Sequence, residues 1–442
     1  MTSIFPHSSP EQWKDKVIEE LKGQPFEDLI GKSQDGLELL PLYTSKDRKG
    51  LHGMHAQQAW QCRQDFWGKK EAPLNALILE ALGASVSSIG LDDREGNELA
   101  ALLKEVQLDV ISLHLKTEEP ERSLSDLKAI IEKQKIPLEN IHGSLDHDPI
   151  GEAIERGFWK NTPDADMDAA LNSAKEWPSS FGIITVRMDR FHLAGATSGK
   201  ELLYGLASAK CYLDRAKELG LDLDRIAAGI SFHLAVDTDF IESISKCMAF
   251  RVLWANLLNA YGVKNKTCHL SARTSGWSMA PVDLDTNLLR TSSMAFSAIA
   301  GGCDEVIIAP HDGNCDAFSM RMARNIQHLL RHESYMDKFQ NPAEGAYLFE
   351  HLAGELADTV WTALKLIEEG KGFLSLFEEG KIQADMKASA EVKAKEILSA
   401  QRTWLGVNLY AAKDEQKLTD IHWTETKESD FPALSFPIFQ LS

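Results

Sequence analysis

From about residue 80 onward the chain alternates between short apolar runs and longer amphipathic stretches. The short runs are Val86–Leu91, Val110–Leu113, Asn140–Leu145, Ile183–Met188, Gly229–His233, Cys268–Ser271, Glu305–Ala309 and Ala346–Phe349. Their length and their β-branched or apolar content predict strands. Between them, Ile241–Leu258 places Ile241, Ile244, Met248 and Val252 on one helical face, and Thr286–Ile299 has the same period. Helical crossovers of this length force parallel pairing. Eight strand–helix units predict an α/β fold of the TIM (β/α)8 barrel type rather than an open doubly wound sheet.

The two ends follow other patterns. Ser9-Pro-Glu-Gln-Trp-Lys predicts a serine-capped helix start, with Trp13, Val17 and Leu21 following at near-helical spacing. Gly36–Tyr43 reads as a short extended arm. Beyond residue 350, Leu352–Glu368 and Ala388–Gln401 read as long helices. The tail Phe431–Leu441 carries three phenylalanines and is expected to pack on a surface, its own or a partner's. The expected division is an N-terminal helix and arm over 1–50, a barrel over 51–375, and a C-terminal helical segment and tail over 376–442.

Composition narrows the function classes. The length of 442 residues suits one large barrel with extensions. A hydrophobic content of 43% and a charged content of 26% are those of a soluble globular chain. No apolar run approaches the roughly 18–20 residues that cross a bilayer. The start has no basic stretch leading into an apolar one, so no signal peptide is expected. The net charge of −19 argues against nucleic acid or anionic membrane as a partner. Cys62, Cys211, Cys247, Cys268, Cys303 and Cys315 are scattered without a Cys-x-x-Cys, which predicts reduced thiols in a cytoplasmic protein. No Gly-x-Gly-x-x-Gly or P-loop follows a strand, so neither nucleotide fold has support.

Function in such a barrel sits at the carboxyl ends of the strands. Many of the 14 histidines fall on or just after the expected strands: His114, His142, His192, His233, His269 and His311 with Asp312. Imidazole with carboxylate is the usual zinc or iron donor set. No tight His-x-His or His-Glu-x-x-His spacing is present, so we expect hydrogen-bonded histidines and no metal. Asp146-His-Asp-Pro-Ile-Gly151 nearly matches Asp-x-His-x-x-Gly, but Asp148 stands where that pattern needs histidine, and the segment is expected to be a turn.

A set of ordered motifs resembles one family. Leu40-Pro-Leu-Tyr-Thr-Ser-Lys-Asp47, Trp60-Gln-Cys-Arg-Gln64, Ala194-Gly-Ala-Thr197 and Arg251-Val-Leu-Trp-Ala255 come first. Ala272-Arg-Thr-Ser-Gly-Trp-Ser278, Asp285–Thr291, Asp304–Pro310, Ser319–Gln327 and Glu333-Ser334 follow. In sequence and spacing they are similar to the methylmalonyl-CoA mutase family from about residue 37 to about residue 400. The resemblance implies a TIM barrel whose axis admits a CoA ester, and a separate cobalamin domain, which this chain is not expected to carry.

The departures run in one direction. Where catalytic chains of that family read Arg-Gln-Tyr, this chain has Arg63-Gln64-Asp65. The histidine expected before Ala-Gly-Ala-Thr is replaced by Arg190, with His192 two residues later. The corrin-facing histidine and glutamine become Ser271 and Arg273, and the CoA-contacting segment becomes Gly53–Trp60 without its arginine. The pattern therefore resembles the small, non-catalytic barrel subunit of the family's bacterial heterodimers. It implies a catalytic large subunit as partner, with adenosylcobalamin on that partner and no cofactor on this chain. A homodimer of the isolated chain stays open.

Three alternatives remain. An acyl-CoA-binding regulatory barrel would use Arg251, Ser271, Arg273, His192 and His233 as substrate-binding residues of a polar axial channel. Against that stands the reading that these side chains fill the vacated space. A mutase barrel borrowing a cobalamin domain from a separate chain is weighed down by the missing tyrosine and histidine. A metal-dependent barrel enzyme lacks the ligand spacing.

Overall fold

In the computed structural model, residues 8–49, 59–68, 71–93, 98–411, 416–424 and 429–441 are described. Most of the segment Gly53–Trp60 lies outside them. Eight parallel strands close into a barrel in chain order. They are β1 (Gln61–Phe66), β2 (Ser88–Asp92), β3 (Ser112–Lys116), β4 (His142–His147), β5 (Phe181–Arg187), β6 (Ile230–Val236), β7 (His269–Thr274) and β8 (Glu305–Ile307). The last pairs with the first, Val306 opposite Cys62.

One expected strand is absent and one strand was not expected. The first barrel strand is Gln61–Phe66, which the apolar pattern passes over because Gln61, Arg63, Gln64 and Asp65 are polar. Ala346–Phe349 is not a strand, because Tyr347 opens the helix Tyr347–Glu369. Leu352, Leu356, Val360 and Leu364 continue from it at helical spacing and are buried. A short apolar run cannot by itself separate a strand from a first helical turn.

Strand alternation sorts the side chains. On β6, Phe232 and Leu234 point out to the helices while Ser231 and His233 point in. The outward Phe232 ring meets Phe250 and Trp254 at centroid distances of 4.7 and 4.8 Å. Both partners lie on the helix Phe240–Ala260, whose N-terminus is capped by Asp239 accepting from the Glu242 amide. At Gly143 φ is +127° and an added Cβ would sit 1.9 Å from the Leu113 carbonyl oxygen. Only glycine meets both demands there.

The two ends carry elements of their own. Ser9 caps the helix Pro10–Glu20 in a reciprocal box with Gln12. At the other end Leu418–Trp423 and Pro437–Leu441 form an antiparallel pair, a β element the helical pattern of this region does not announce. The phenylalanine-rich tail packs on its own chain: Phe431 lies 4.8 Å from Phe377, and Phe439 lies 5.6 Å from Trp404 and 6.2 Å from Trp277. Among the described residues no helix is long and apolar enough to cross a membrane.

Candidate functional site

The inward positions of these strands are almost wholly polar. Arg63 on β1 reaches across the barrel to Asp146 on β4 at 2.8 Å and to Glu305 on β8 at 3.3 Å, and it bonds Asp65 at 2.6 Å. Its Nη1 also lies 3.4 Å from His233 Nε2 on β6. Contacts joining β1, β4, β6 and β8 are possible only through the axis. Glu305 additionally accepts from Ser88 at 2.5 Å and Ser271 at 2.8 Å, and lies 3.0 Å from His114 Nε2. Arg273 pairs with Asp65 and lies 3.7 Å from Asp189, which in turn binds Arg187 at 2.7 Å. The side chains need Gly90, since a Cβ there would lie 2.0 Å from Asp65 Oδ1.

Arg63, Arg187 and Arg273 thus meet Asp65, Asp146, Asp189 and Glu305 in a nearly closed account of charge. Burial opposes the carboxylate form of Asp146, but Arg63, His233 and His114 outweigh it and hold this group well below its usual range. His114 and Arg63 do the same for Glu305 against its burial. Burial drives His233 down to about 3, Asp146 resisting and Arg63 assisting, so its imidazole is neutral at physiological pH.

The expected site residues divide between three places. Ser271, Arg273 and His233 are in the axial network. His192 is not: it sits on the helix Met188–Leu193 with Nε2 2.7 Å from Ser275 Oγ and Nδ1 3.6 Å from Glu201. There it joins a second buried cluster, in which Lys246 binds Glu201 at 2.6 Å and Glu201 also accepts from the Ala235 amide at 2.7 Å. Lys393 stacks on Trp277 at 4.8 Å and is pushed down to about 8 by burial, with Asp237 opposing. Arg251 is not in the barrel interior. It lies on the helix Phe240–Ala260 and binds the Gly302 carbonyl and Asp304, ahead of β8. The reason is its position on a covering helix, whose inward face meets the outside of the barrel.

The histidines do not gather at the carboxyl ends. His142 and His269 begin their strands, and with His114 they line a cavity of about 240 Å³ at the amino mouth. His311 lies 3.6 Å from Asp285, and Asp312 accepts from Asn314 and Ser319. Asp146-His-Asp-Pro-Ile-Gly151 is not a simple turn: Asp146 and His147 end β4, and Asp148 caps the helix Pro149–Arg156. Asp148 also accepts from Tyr212 and the Arg187 amide. Arg190 pairs with Glu155 at 2.8 Å. Among the described residues no His, Cys, Asp and Glu group is arranged to hold a metal ion. A larger cavity of about 480 Å³ lies between the segments that leave the carboxyl ends of β3 and β4, where His147 Nδ1 is 3.2 Å from Glu152.

Glu242 yields a prediction. Both of its carboxyl oxygens are buried without a hydrogen-bond partner. Burial, then Asp35, Asp239 and Asp237, raise it to about 8. An unfolded glutamate ionises near pH 4.5, so the fold loses stability as pH rises from there toward 8. Glu242→Gln is expected to stabilise the protein on the order of 1–3 kcal/mol at pH 8 and much less at pH 5. Urea unfolding at both values checks it; equal gains at the two would show the carboxyl to be solvated.

Arg187 and Asp189 escape the motif reading, and Glu305 falls in the Asp304–Pro310 motif without a role assigned to it. A period of two in polarity inside strands with an apolar outer face picks out Thr185 and Arg187 on β5, Ser231 and His233 on β6, and His269, Ser271 and Arg273 on β7, whereas Asp189 sits beyond β5 on the helix Met188–Leu193, out of reach of that period.

Residues 80–432 match the family model described as Methylmalonyl-CoA mutase. The methylmalonyl-CoA mutase small subunit of Porphyromonas gingivalis is 30% identical over 440 residues, a match covering 92% of this chain and 70% of that protein. The small subunit of Streptomyces virginiae is 27% identical over 448 residues, covering 94% and 72%. The large subunit of Streptomyces virginiae is 26% identical over 474 residues, covering 93% and 63%.

Proposed function

The chain belongs to the methylmalonyl-CoA mutase family, and from that premise we propose that it is a non-catalytic small subunit supporting a catalytic large subunit. The reaction supported is the adenosylcobalamin-dependent interconversion of methylmalonyl-CoA and succinyl-CoA. The observation that carries this reading is the occupied axis. Asp65 and Arg273, which stand where catalytic chains of the family read tyrosine and glutamine, pair with each other inside the barrel, and Asp65 ties the pair to Arg63 and, through it, to Asp146 and Glu305. Arg63 and Asp146 are 3% exposed and Glu305 is not exposed at all, so substrate entry would have to break a desolvated ion network.

The residues present do not fit a corrin. Ser271 gives its hydroxyl to Glu305, and Arg273 is committed to Asp65 and Asp189. Both side chains are engaged with carboxylates of the axis, so no catalytic step is assigned to this chain, and the proposal puts adenosylcobalamin on the partner. Relatives named as small and large subunits occur together in Streptomyces virginiae and in Porphyromonas gingivalis, which supports a large-subunit partner.

Co-expression with a large subunit tests the proposal. The two chains should co-purify, the isolated chain should show no mutase activity with added adenosylcobalamin, and the large subunit should lose activity or stability alone. Separate elution with a fully active large subunit would overturn it.

The amino-mouth cavity favours a second reading, a residual CoA-ester regulator. Its lining includes His114, His142, His269, Ser112 and Ser231 and no carboxylate, in a chain of net charge −19. Calorimetry with CoA and methylmalonyl-CoA separates the two: absence of heat at millimolar ligand ends the regulatory reading.

A further inference from the structure

Two of the six cysteines meet in the core. Cys247 on the helix Phe240–Ala260 and Cys303 in the turn entering β8 have their sulfurs 3.5 Å apart, as free thiols. The surroundings hold them there. Gly301 lets the helix approach the turn, since a Cβ at that position would lie 2.7 Å from Cys247 Cβ. One helical turn further on, Arg251 binds the Gly302 carbonyl at 2.5 Å and Asp304 at 3.0 Å, clamping the chain on both sides of Cys303.

We infer that Cys247 and Cys303 form an oxidative modification site, which a small hydroperoxide converts to an intramolecular disulfide. The Cys247 thiolate attacks one peroxide oxygen. The O–O bond breaks, leaving Cys247 as a sulfenic acid, and the departing hydroxide or alkoxide takes up the proton that the Cys247 thiol gave up, leaving as water or an alcohol. The Cys303 sulfur then attacks the sulfenic sulfur, the S–O bond breaks, and the hydroxyl leaves as water with the Cys303 proton. Two thiols are oxidised by two electrons, and one peroxide is reduced.

The electrostatics favour Cys247 as the attacking sulfur. Hydrogen bonding from Cys303, helped by Lys246 and Arg251 against burial, lowers its thiol. Burial pushes the thiols of Cys62, Cys211 and Cys268 up to about 12. Cys247 is 0% and Cys303 2% exposed, so the site selects a reagent of a few atoms over a bulky one. Cys303 lies two residues before Glu305, so the bond would pin the strand that anchors the axial network to the helix outside it.

The test uses the intact chain. It is treated with hydrogen peroxide in native buffer, its free thiols are alkylated, and its peptides are mapped. The expected result is a Cys247–Cys303 linked pair, reversed by dithiothreitol. Linkage should raise the thermal midpoint. Cys303→Ser should instead leave Cys247 as a sulfenic acid trapped by dimedone. A bulky aromatic disulfide reagent should leave both cysteines untouched without denaturant. The inference is overturned if both remain alkylatable under peroxide that oxidises Cys211 or Cys315, or if Cys247 links elsewhere. The wild-type map decides even if Cys303→Ser folds poorly. The inference makes no use of the proposed subunit role, so its failure leaves that role untouched.

Discussion

Arg63→Met is expected to cost about 3–5 kcal/mol of stability, because it takes the arginine from buried Asp146 and one cation from Asp65 and from Glu305 in the barrel axis. Removing one partner of a buried ion network leaves charges that water cannot reach. Arg63→Met with Glu305→Gln should recover part of the loss, since one stranded charge goes with the cation. Denaturant unfolding followed by tryptophan fluorescence reads both variants. A cost under about 1 kcal/mol for the single substitution would mean that the axis is hydrated.

The acid limb supplies a second readout of the same network. Asp146 and Glu305 are held below their unfolded values, so their contribution is present above the ordinary carboxylate range and is lost as pH falls through their depressed values. His233, lowered to about 3, acts in the same direction: between about 6.5 and 3 the unfolded chain takes a proton that the fold refuses. Wild type should therefore lose stability steadily from pH 6.5 downward. In Arg63→Met the carboxylate part of that slope should flatten.

Lys246→Met should have a comparable effect, about 3–5 kcal/mol, by unpairing the fully buried Glu201. The cost should depend on pH. Burial already raises Glu201 to about 7, with Lys246 opposing, and without that cation the carboxyl should rise further. A glutamate raised in the fold loses stability as pH increases from its unfolded value, so the deficit of the variant should widen between pH 6 and pH 8. Lys246→Met with Glu201→Gln should restore most of the stability, because the amide can still accept from the Ala235 N–H. Strict additivity of the two substitutions would refute the coupling.

The candidate site was legible in proportion to how local its signals are. Ser271 and Arg273 were found because a motif frames them, and the structure puts both into the network. Arg251 also lies in a motif, yet a helical residue faces whatever its helix covers, here the turn at Gly302. His192 is two residues beyond Arg190, but the helix Met188–Leu193 turns it toward Ser275 and Glu201 while Arg190 faces Glu155. β1 was missed as a strand because its polar inward face and Gln64 leave only Cys62 and Phe66 as apolar positions.

Local hydrophobic period by itself determined that strands and helices alternate, and crossover length then determined parallel pairing and a barrel. It also determined the outer core, where Phe232, Phe250 and Trp254 meet on apolar faces. Only the tertiary structure decided which charges neutralise which. Arg63 stands 83 residues from Asp146 and 242 from Glu305 in the chain, and the three meet because closure of the sheet brings β1, β4 and β8 around one axis. A carboxylate looks the same in sequence whether it faces water or an arginine. Its burial and its partner are properties of the closed barrel, and they decide whether the axis can admit a ligand.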